Sequence, residues 1–249
     1  VMLSRCERLQ DIYITGDFSI EQIKCHPEAL EEYSRITQLF QATLNERQEE
    51  LKCLRITFLN AMNLLAHLKD VKQSSLLMSS TVLGLAETWM DPGSTVDLPE
   101  FQSTFENVGR GKGLAAFYKE DVSTLQTSKP KVSAIKVTTF AIDVIFLYLS
   151  QKVAWTDVNS ILEDWLNPDV PTTVMGDMND STHQMKQFLE DKGFQQMIRR
   201  PTHDKGNCID HLYLNQKLLD LQPKVEQQSA YFSDHDIITM SFPEIKLVN

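Results

Sequence analysis

Residues 172–180 read Thr172-Thr173-Val174-Met175-Gly176-Asp177-Met178-Asn179-Asp180. The β-branched and apolar residues up to Met175 make a buried strand, and Gly176 opens a turn that leaves Asp177 and Asn179 at the strand's end. Helix candidates flank this strand, Asp157 to Leu166 before it and His183 to Lys192 after it. Helix, strand and helix in succession are the unit of an α/β arrangement.

Outward from that unit, short apolar segments recur and predict strands at Leu54 to Leu59, Thr81 to Ala86, Gly113 to Tyr118, Lys131 to Val137, Ile142 to Leu149, Ile209 to Leu214 and Ile237 to Phe242. A helix is expected near Leu64 to Val71. Turn signals separate the pieces: Asp91-Pro92-Gly93, the glycines at 109, 111 and 113, Asn167-Pro168 and Lys205-Gly206-Asn207. Further out, Leu30, Tyr33, Ile36, Phe40 and Leu44 recur at spacings of three and four after Pro27, which predicts an amphipathic helix from His26 to about Glu50. The polar run Asn45 to Glu50 marks the expected boundary between this helical lead, residues 1–52, and an α/β domain, residues 53–249.

The chain has 249 residues, 42% of them hydrophobic, enough for a substantial core. With 24 Lys plus Arg against 34 Asp plus Glu the net charge is -10, which excludes a protein that coats nucleic acid by bulk positive charge. A local basic groove remains compatible with that balance, and binding through it should weaken as salt rises. The longest uncharged apolar run, Val144 to Leu149, is far short of a membrane span. Val1 in place of Met makes the start read as a cut, and Arg5, Glu7 and Arg8 stand where the apolar stretch of a secretory leader would lie. Cys6, Cys25, Cys53 and Cys208 form neither a CxxC pair nor a zinc spacing, so a reducing, intracellular location is expected.

Polar residues gather where the predicted strands end. Asn60 follows the strand ending at Leu59, Glu87 the one ending at Ala86, and Asp177 with Asn179 the one ending at Met175. Asp234 and His235 precede the last strand. Asp210 falls inside an apolar strand, where a carboxylate without a partner is costly. Singly, each has a mundane reading: Asp177 and Asn179 as turn or capping residues, Glu87 and Asn60 as surface, His235 as a solvated or satisfied side chain. Together they make an oxygen-rich pocket suited to a hard ion such as Mg²⁺ and to phosphodiester hydrolysis. That chemistry needs a base or orienting group for water (Asp177), a metal ligand (Glu87) and donors toward the phosphoryl oxygens (His235 with Asn179).

Phe58-Leu59-Asn60, Glu87-Thr88-Trp89, Gly176-Asp177-Met178-Asn179, Ile209-Asp210-His211 and Ser233-Asp234-His235-Asp236, in this order, resemble the endonuclease/exonuclease/phosphatase family. The resemblance spans about residues 53 to 244. It implies a four-layered α/β sandwich, two packed mixed or mostly antiparallel sheets flanked by helices, with its site at one edge. It further implies Mg²⁺, or Mn²⁺, as cofactor and DNA as partner. Carried over by position, Glu87 would be a direct metal ligand, with Asn60 and Asp234 at the metal, and Asp177 would align or deprotonate the attacking water. Asn179 would hold that water or the phosphate, His235 would donate to a phosphate oxygen, and Asp210 would orient His235 and favour its charge. Tyr148 matches a tyrosine that contacts the scissile phosphate; a purely core reading of it competes evenly.

Val1-Met2-Leu3-Ser4-Arg5-Cys6, with Leu9 and Ile12-Tyr13-Ile14, resembles the last motif of a superfamily-one helicase of the Helitron class. Val108 to Gly113 and Tyr118 to Asp121 are similar to the endonuclease domains fused to such helicases. The implied whole is the truncated end of a helicase joined to an endonuclease, with a nuclear location. No GxxxxGK[ST] is present, so ATP is not an expected partner. Arg110, Lys112, Arg199 and Arg200 are the candidate contacts to a DNA backbone. Leu149 stands where related transposon endonucleases often carry Arg, which would weaken phosphate contact without touching the metal site. Two other readings stay open: a phosphatase or phospholipid phosphodiesterase on the same metal site, and an inactive relic that only binds.

Overall fold

The computed structural model describes residues 54–179 and 182–242, together with Glu31, Arg35 and Ile36. The chain divides into two compact units, Val1–Glu46 and Arg47–Asn249. In the first, Glu31, Arg35 and Ile36 are helical, while residues 1–14, on which the helicase resemblance was read, the rest of the expected helix and the polar run 45–50 lie outside the described residues. Every strand among the described residues belongs to the second unit.

That unit is built on two six-stranded sheets. One contains β1 (Arg55–Asn60), β2 (Val82–Ala86), β3 (Gln102–Glu106), β4 (Leu114–Tyr118), β11 (Lys224–Ser229) and β12 (Asp236–Ser241), in the order β11-β12-β1-β2-β4-β3. The other contains β5 (Ser123–Lys129), β6 (Val132–Thr138), β7 (Asp143–Leu149), β8 (Thr172–Asp177), β9 (Phe194–Gln196) and β10 (Asp210–Asn215), in the order β5-β6-β7-β8-β10-β9. Each sheet has one parallel pair, β1 with β2 and β7 with β8, and the remaining pairs are antiparallel. Parallel neighbours need a crossover. Helices α1 (Leu64–Gln73) and α2 (Ser75–Met78) supply the first, and α3 (Trp155–Trp165) the second. Helix α4 (Thr182–Asp191) follows β8, and α5 (Gln216–Leu219) follows β10.

Three apolar clusters account for the layering. Along β7, Val144, Phe146 and Tyr148 enter the cluster between the sheets, while Ile145, Leu147 and Leu149 join Val158, Leu162 and Leu189 beneath α3 and α4. A strand buried on both faces reads as one continuous apolar run, as Val144 to Leu149 does. The third cluster packs Leu64, Val71 and Leu77 of α1 and α2 on Leu59, Leu83 and Leu85. Helices, sheet, sheet and helices make the expected four-layered α/β sandwich. Leu149, read as a lost cation, is a fully buried part of this packing. Among the described residues no helix is long and apolar enough to cross a membrane.

The predicted strands all form, with ends shifted by a residue or two, but the set was incomplete: β3, β5, β9 and β11 were missed. They are the four sheet edges. An edge strand pairs on one side only and keeps polar residues, as in Ser123–Lys129 (STLQTSK) and Lys224–Ser229 (KVEQQS), so no apolar run announces it. Asp210, read as lying inside a strand, is instead the first residue of β10. Thr202 Oγ1 accepts the N–H groups of both Ile209 and Asp210, at 3.1 and 3.0 Å, and so takes up these donors at the strand's start.

The sheets approach closely at Gly84, where an added Cβ would press into the Phe146 ring. Phe146 also stacks on Phe58, with ring centroids 6.2 Å apart. Gly84→Ala is expected to cost about 1–3 kcal/mol through overpacking. The neighbour is a side chain, so adding Phe146→Leu should recover part of that loss; urea unfolding of the single and double variants measures both.

Candidate active site

The two parallel pairs decide where the site lies. Asn60 ends β1 and Glu87 directly follows β2, both at the carboxyl ends of one pair; Tyr148 and Asp177 stand at the carboxyl ends of the other. β10 and β12 run antiparallel to their neighbours, so their starts, at Asp210 and just after Asp234 and His235, reach the same edge. Carboxyl ends of strands are where open α/β sheets place their ligands.

Asp177, Asp210 and His235 are all buried, and ligand-capable atoms of the three lie within 4.8 Å of one another. His235 Nδ1 lies 2.8 Å from Asp210 Oδ2, the partner that a buried Asp210 requires. Asn60 Nδ2 donates to Asp177 Oδ2 at 2.9 Å and to Glu87 Oε1 at 3.1 Å, bridging the sheets. The backbone N–H of Asn179 donates to Asp177 Oδ1 at 2.9 Å, while its side-chain amide is turned to the Leu149 carbonyl at 2.8 Å. The Tyr148 hydroxyl lies 3.3 Å from Glu87 Oε1 and 3.1 Å from the Gly111 carbonyl, so it belongs to the site as well as to the core. Trp89 Nε1 donates to Glu87 Oε2 at 3.1 Å. Glu87, Trp89 and Asn179 all have positive φ, a conformation that non-glycine residues adopt at a cost and that clusters at functional sites.

The electrostatics arise from this crowding. Burial first, and the charge of Asp210 second, push Asp177 up to about 8, against the opposing effects of His235 and its own hydrogen bonds. Burial alone would lower His235, but the hydrogen bond and charge of Asp210, with Asp177 and Asp234, raise it to about 9. Burial, then the charges of Glu87 and Asp177, pushes the Tyr148 phenol up, so it stays a neutral donor. The raised His235 pKa contributes stability that is complete below about 6.5 and lost as pH climbs through about 9. The raised Asp177 pKa acts in the same direction between 3.8 and about 8. Metal-free protein is therefore expected to lose unfolding free energy from pH 6.5 to 9, with His235→Gln flattening the upper part; denaturation in chelator at stepped pH measures it.

Asp210 Oδ1 and Asp234 Oδ1 are buried carboxylate oxygens with no hydrogen-bond donor. Orphaned anionic oxygens are costly. They belong to two groups whose ligand atoms lie within 4.8 Å of one another, Asp177 with Asp210 and His235, and His203 with Asp234 and His235; Glu87 is in neither group and is joined to Asp177 through Asn60. Carboxylate and amide oxygens of this kind suit a hard divalent cation with its waters.

The basic candidates divide. The exposed Arg110 guanidinium stacks 5.7 Å from the Trp89 ring centroid, two residues on from Glu87, and the Lys112 carbonyl accepts the Trp89 N–H at 3.0 Å. Arg199 and Arg200 are exposed on the segment after β9, Arg199 lining a groove of about 590 Å³ with Lys186, His211 and Cys208. Two residues at the site were missed in the sequence. Thr202 supports Asp210 through its hydroxyl, and His203 forms a β-bridge with His235 and contacts Asp234. Both lie in a loop with no apolar pattern, and only their nearness in space to the acid motifs marks them.

A layered α/β sandwich with buried acids, amides and an imidazole at its strand ends defines a class. The chain belongs to the endonuclease/exonuclease/phosphatase family, whose model matches residues 57–235. Among solved structures it is similar to a 3' phosphatase from Neisseria bound to product DNA hairpin, at 16% identity over 76% of this chain and 99% of that one, with a TM-score of 0.63. An AP endonuclease from Archaeoglobus fulgidus matches at 16% identity, 76% and 99% coverage and a TM-score of 0.62. The endonuclease domain of TRAS1, a telomere-specific non-LTR retrotransposon, matches at 14% identity, 78% and 99% coverage and a TM-score of 0.57. At such identities the likeness is one of fold. No match was found among curated proteins.

Proposed function

We propose that the protein is a divalent-metal-dependent phosphodiesterase that cleaves DNA internally. The observation that carries this reading is the buried contact of Asp177, Asp210 and His235, joined through Asn60 to Glu87. Asp177, with a pKa near working pH, takes a proton from the attacking water; its two oxygens are held by Asn60 and Asn179, which fixes the direction of approach. Asp210 keeps His235 charged, and the imidazolium donates from Nε2 to a phosphate oxygen. Tyr148, a neutral hydroxyl beside Glu87, supplies a second donor to the phosphate. Glu87, Asn60 and Asp234 would hold Mg²⁺ or Mn²⁺, which when bound offsets charge on the phosphoryl oxygens and the leaving group. Arg110 and Lys112, linked to Glu87 through Trp89, would meet the flanking backbone, and Arg199 and Arg200 would serve other phosphates.

Family membership and the DNA-processing names of the Neisseria and Archaeoglobus neighbours support a nuclease. The Neisseria phosphatase also favours a second reading, removal of a terminal phosphate by the same residues. The close contact of Asp177 with His235 weighs against a relic that has lost its pocket. A Helitron-like helicase origin, with residues 1–52 as its remnant and a nuclear location, belongs to the same proposal and rests on the motifs of residues 1–14 and 108–121.

Nicking of supercoiled plasmid with Mg²⁺, with Mn²⁺ and with chelator tests the reading, beside Asp177→Ala and His235→Ala. A 3'-phosphorylated oligonucleotide and an inositol phosphate run in parallel. Metal-dependent nicking lost in both variants is the expected result. Intact plasmid alongside hydrolysis of either phosphomonoester would overturn the DNA endonuclease assignment.

A further inference from the structure

His203, absent from the sequence-derived site, stands against its two most polar members. Its ring lies edge-on to that of His235, with centroids 4.7 Å apart and planes at 67°. The backbone holds it there: His203 and His235 form a β-bridge, Asp204 N–H donates to the Asp234 carbonyl at 2.9 Å, and Asp236 N–H donates to the Thr202 carbonyl at 2.8 Å. The hydrogen-bond network assigns the tautomer. His203 Nδ1 accepts the Lys205 N–H at 3.0 Å, so the ring proton is on Nε2, which lies 3.3 Å from Asp234 Oδ2. With Nδ1 occupied and Nε2 protonated, His203 offers no lone pair to a metal and sets its ring N–H beside the Asp234 carboxylate.

The second oxygen of Asp234 faces His235. Asp234 Oδ1 has no hydrogen-bond partner although it is buried, and His235 Nε2 lies 3.6 Å from it, beyond hydrogen-bond reach. A free carboxylate so placed would turn to capture that Nε2 proton, because an unpaired buried oxygen costs more than a made bond. The capture would occupy the one imidazole nitrogen that Asp210 leaves available.

We propose that His203 is a positioning residue: standing beside Asp234 Oδ2, it keeps that carboxylate turned toward the cation Asp234 would help hold and away from His235, and so leaves His235 Nε2–H free to meet a substrate phosphate. This rests on the reading of the site as a phosphodiester-cleaving centre. Loss of His203 withdraws His235 from the reaction without removing it.

Three substitutions separate this role from support of the loop. His203→Gln keeps a donor near the Nε2 position, His203→Asn keeps the acceptor for Lys205, and His203→Ala keeps neither. For plasmid or oligonucleotide cleavage, kcat should fall about 10- to 100-fold in the Ala and Asn variants with little change in KM, and Gln should restore most of it. Independently of activity, ¹⁵N-resolved NMR of the histidine rings, with and without Mg²⁺, should show a new hydrogen-bonded Nε2–H signal of His235 in the Ala and Asn variants that is absent in wild type and in Gln. Rescue by Asn instead of Gln, or an unchanged His235 signal in the Ala variant, overturns the proposal. If wild type cleaves none of these substrates the functional reading fails, and the ring signals still decide whether His203 restrains Asp234.

Discussion

Asp177→Asn should cut phosphodiester hydrolysis by at least about two powers of ten and yet, in metal-free protein, gain stability relative to wild type as pH rises from about 6 to about 9. The two effects have one cause. Asp177 is buried against Asp210, and burial together with that like charge raises it to about 8. Below that value the wild-type side chain carries a proton and Asn imitates it closely; above it the wild type must hold two carboxylates in one dry site, and the variant only one. Asn keeps the size and still accepts from Asn60 or Asn179, but it cannot take a proton from water. Urea midpoints at the two pH values and a nicking rate measure both halves. A variant whose stability relative to wild type is the same at both ends of that pH range would contradict the raised pKa, whatever its activity.

The largest loss of stability is expected at Gly176. It pairs with Leu147 in β7 on one side and with His211 in β10 on the other, in the centre of its sheet. A Cβ there would collide with the Leu147 backbone carbonyl. At Gly84 a ring can move; here the obstacle is the main chain of a strand buried on both faces, which cannot yield without breaking the ladder. Gly176→Ala should therefore cost at least about 3 kcal/mol, at the upper end for overpacking. Whatever protein folds should also lose activity, because the same register sets Asp177 beside Tyr148 and Asp210. Denaturant unfolding of the purified variant is the measurement, and a loss below about 1 kcal/mol would mean that the strands separate more easily than this packing allows.

Much of the site was legible because its residues sit at strand ends that apolar runs announce. Asp210 drew attention as a carboxylate among apolar residues, and its partner proved to be His235, 25 positions away. The proposed roles rest on the order of the five motifs, which composition alone would not have suggested. The edge strands were not legible, since Ser123–Lys129 and Lys224–Ser229 keep their polar residues for want of a second neighbour. Tyr148 was ambiguous for a similar reason: an aromatic in a buried strand reads as core, and only its hydroxyl's approach to Glu87, 61 positions away, makes it part of the site.

The sequence by itself determined the class of fold, the central strands and the identity of most of the polar groups, because hydrophobic periodicity and turn residues act over a few neighbouring positions. Tertiary structure alone decided that Asn60 would bridge Asp177, 117 residues away, and Glu87, that Thr202 would support Asp210, and that His203 would come to rest against Asp234 and His235. These are contacts between segments whose separation is set by strand order and register, and no local pattern in the chain encodes a distance across two sheets.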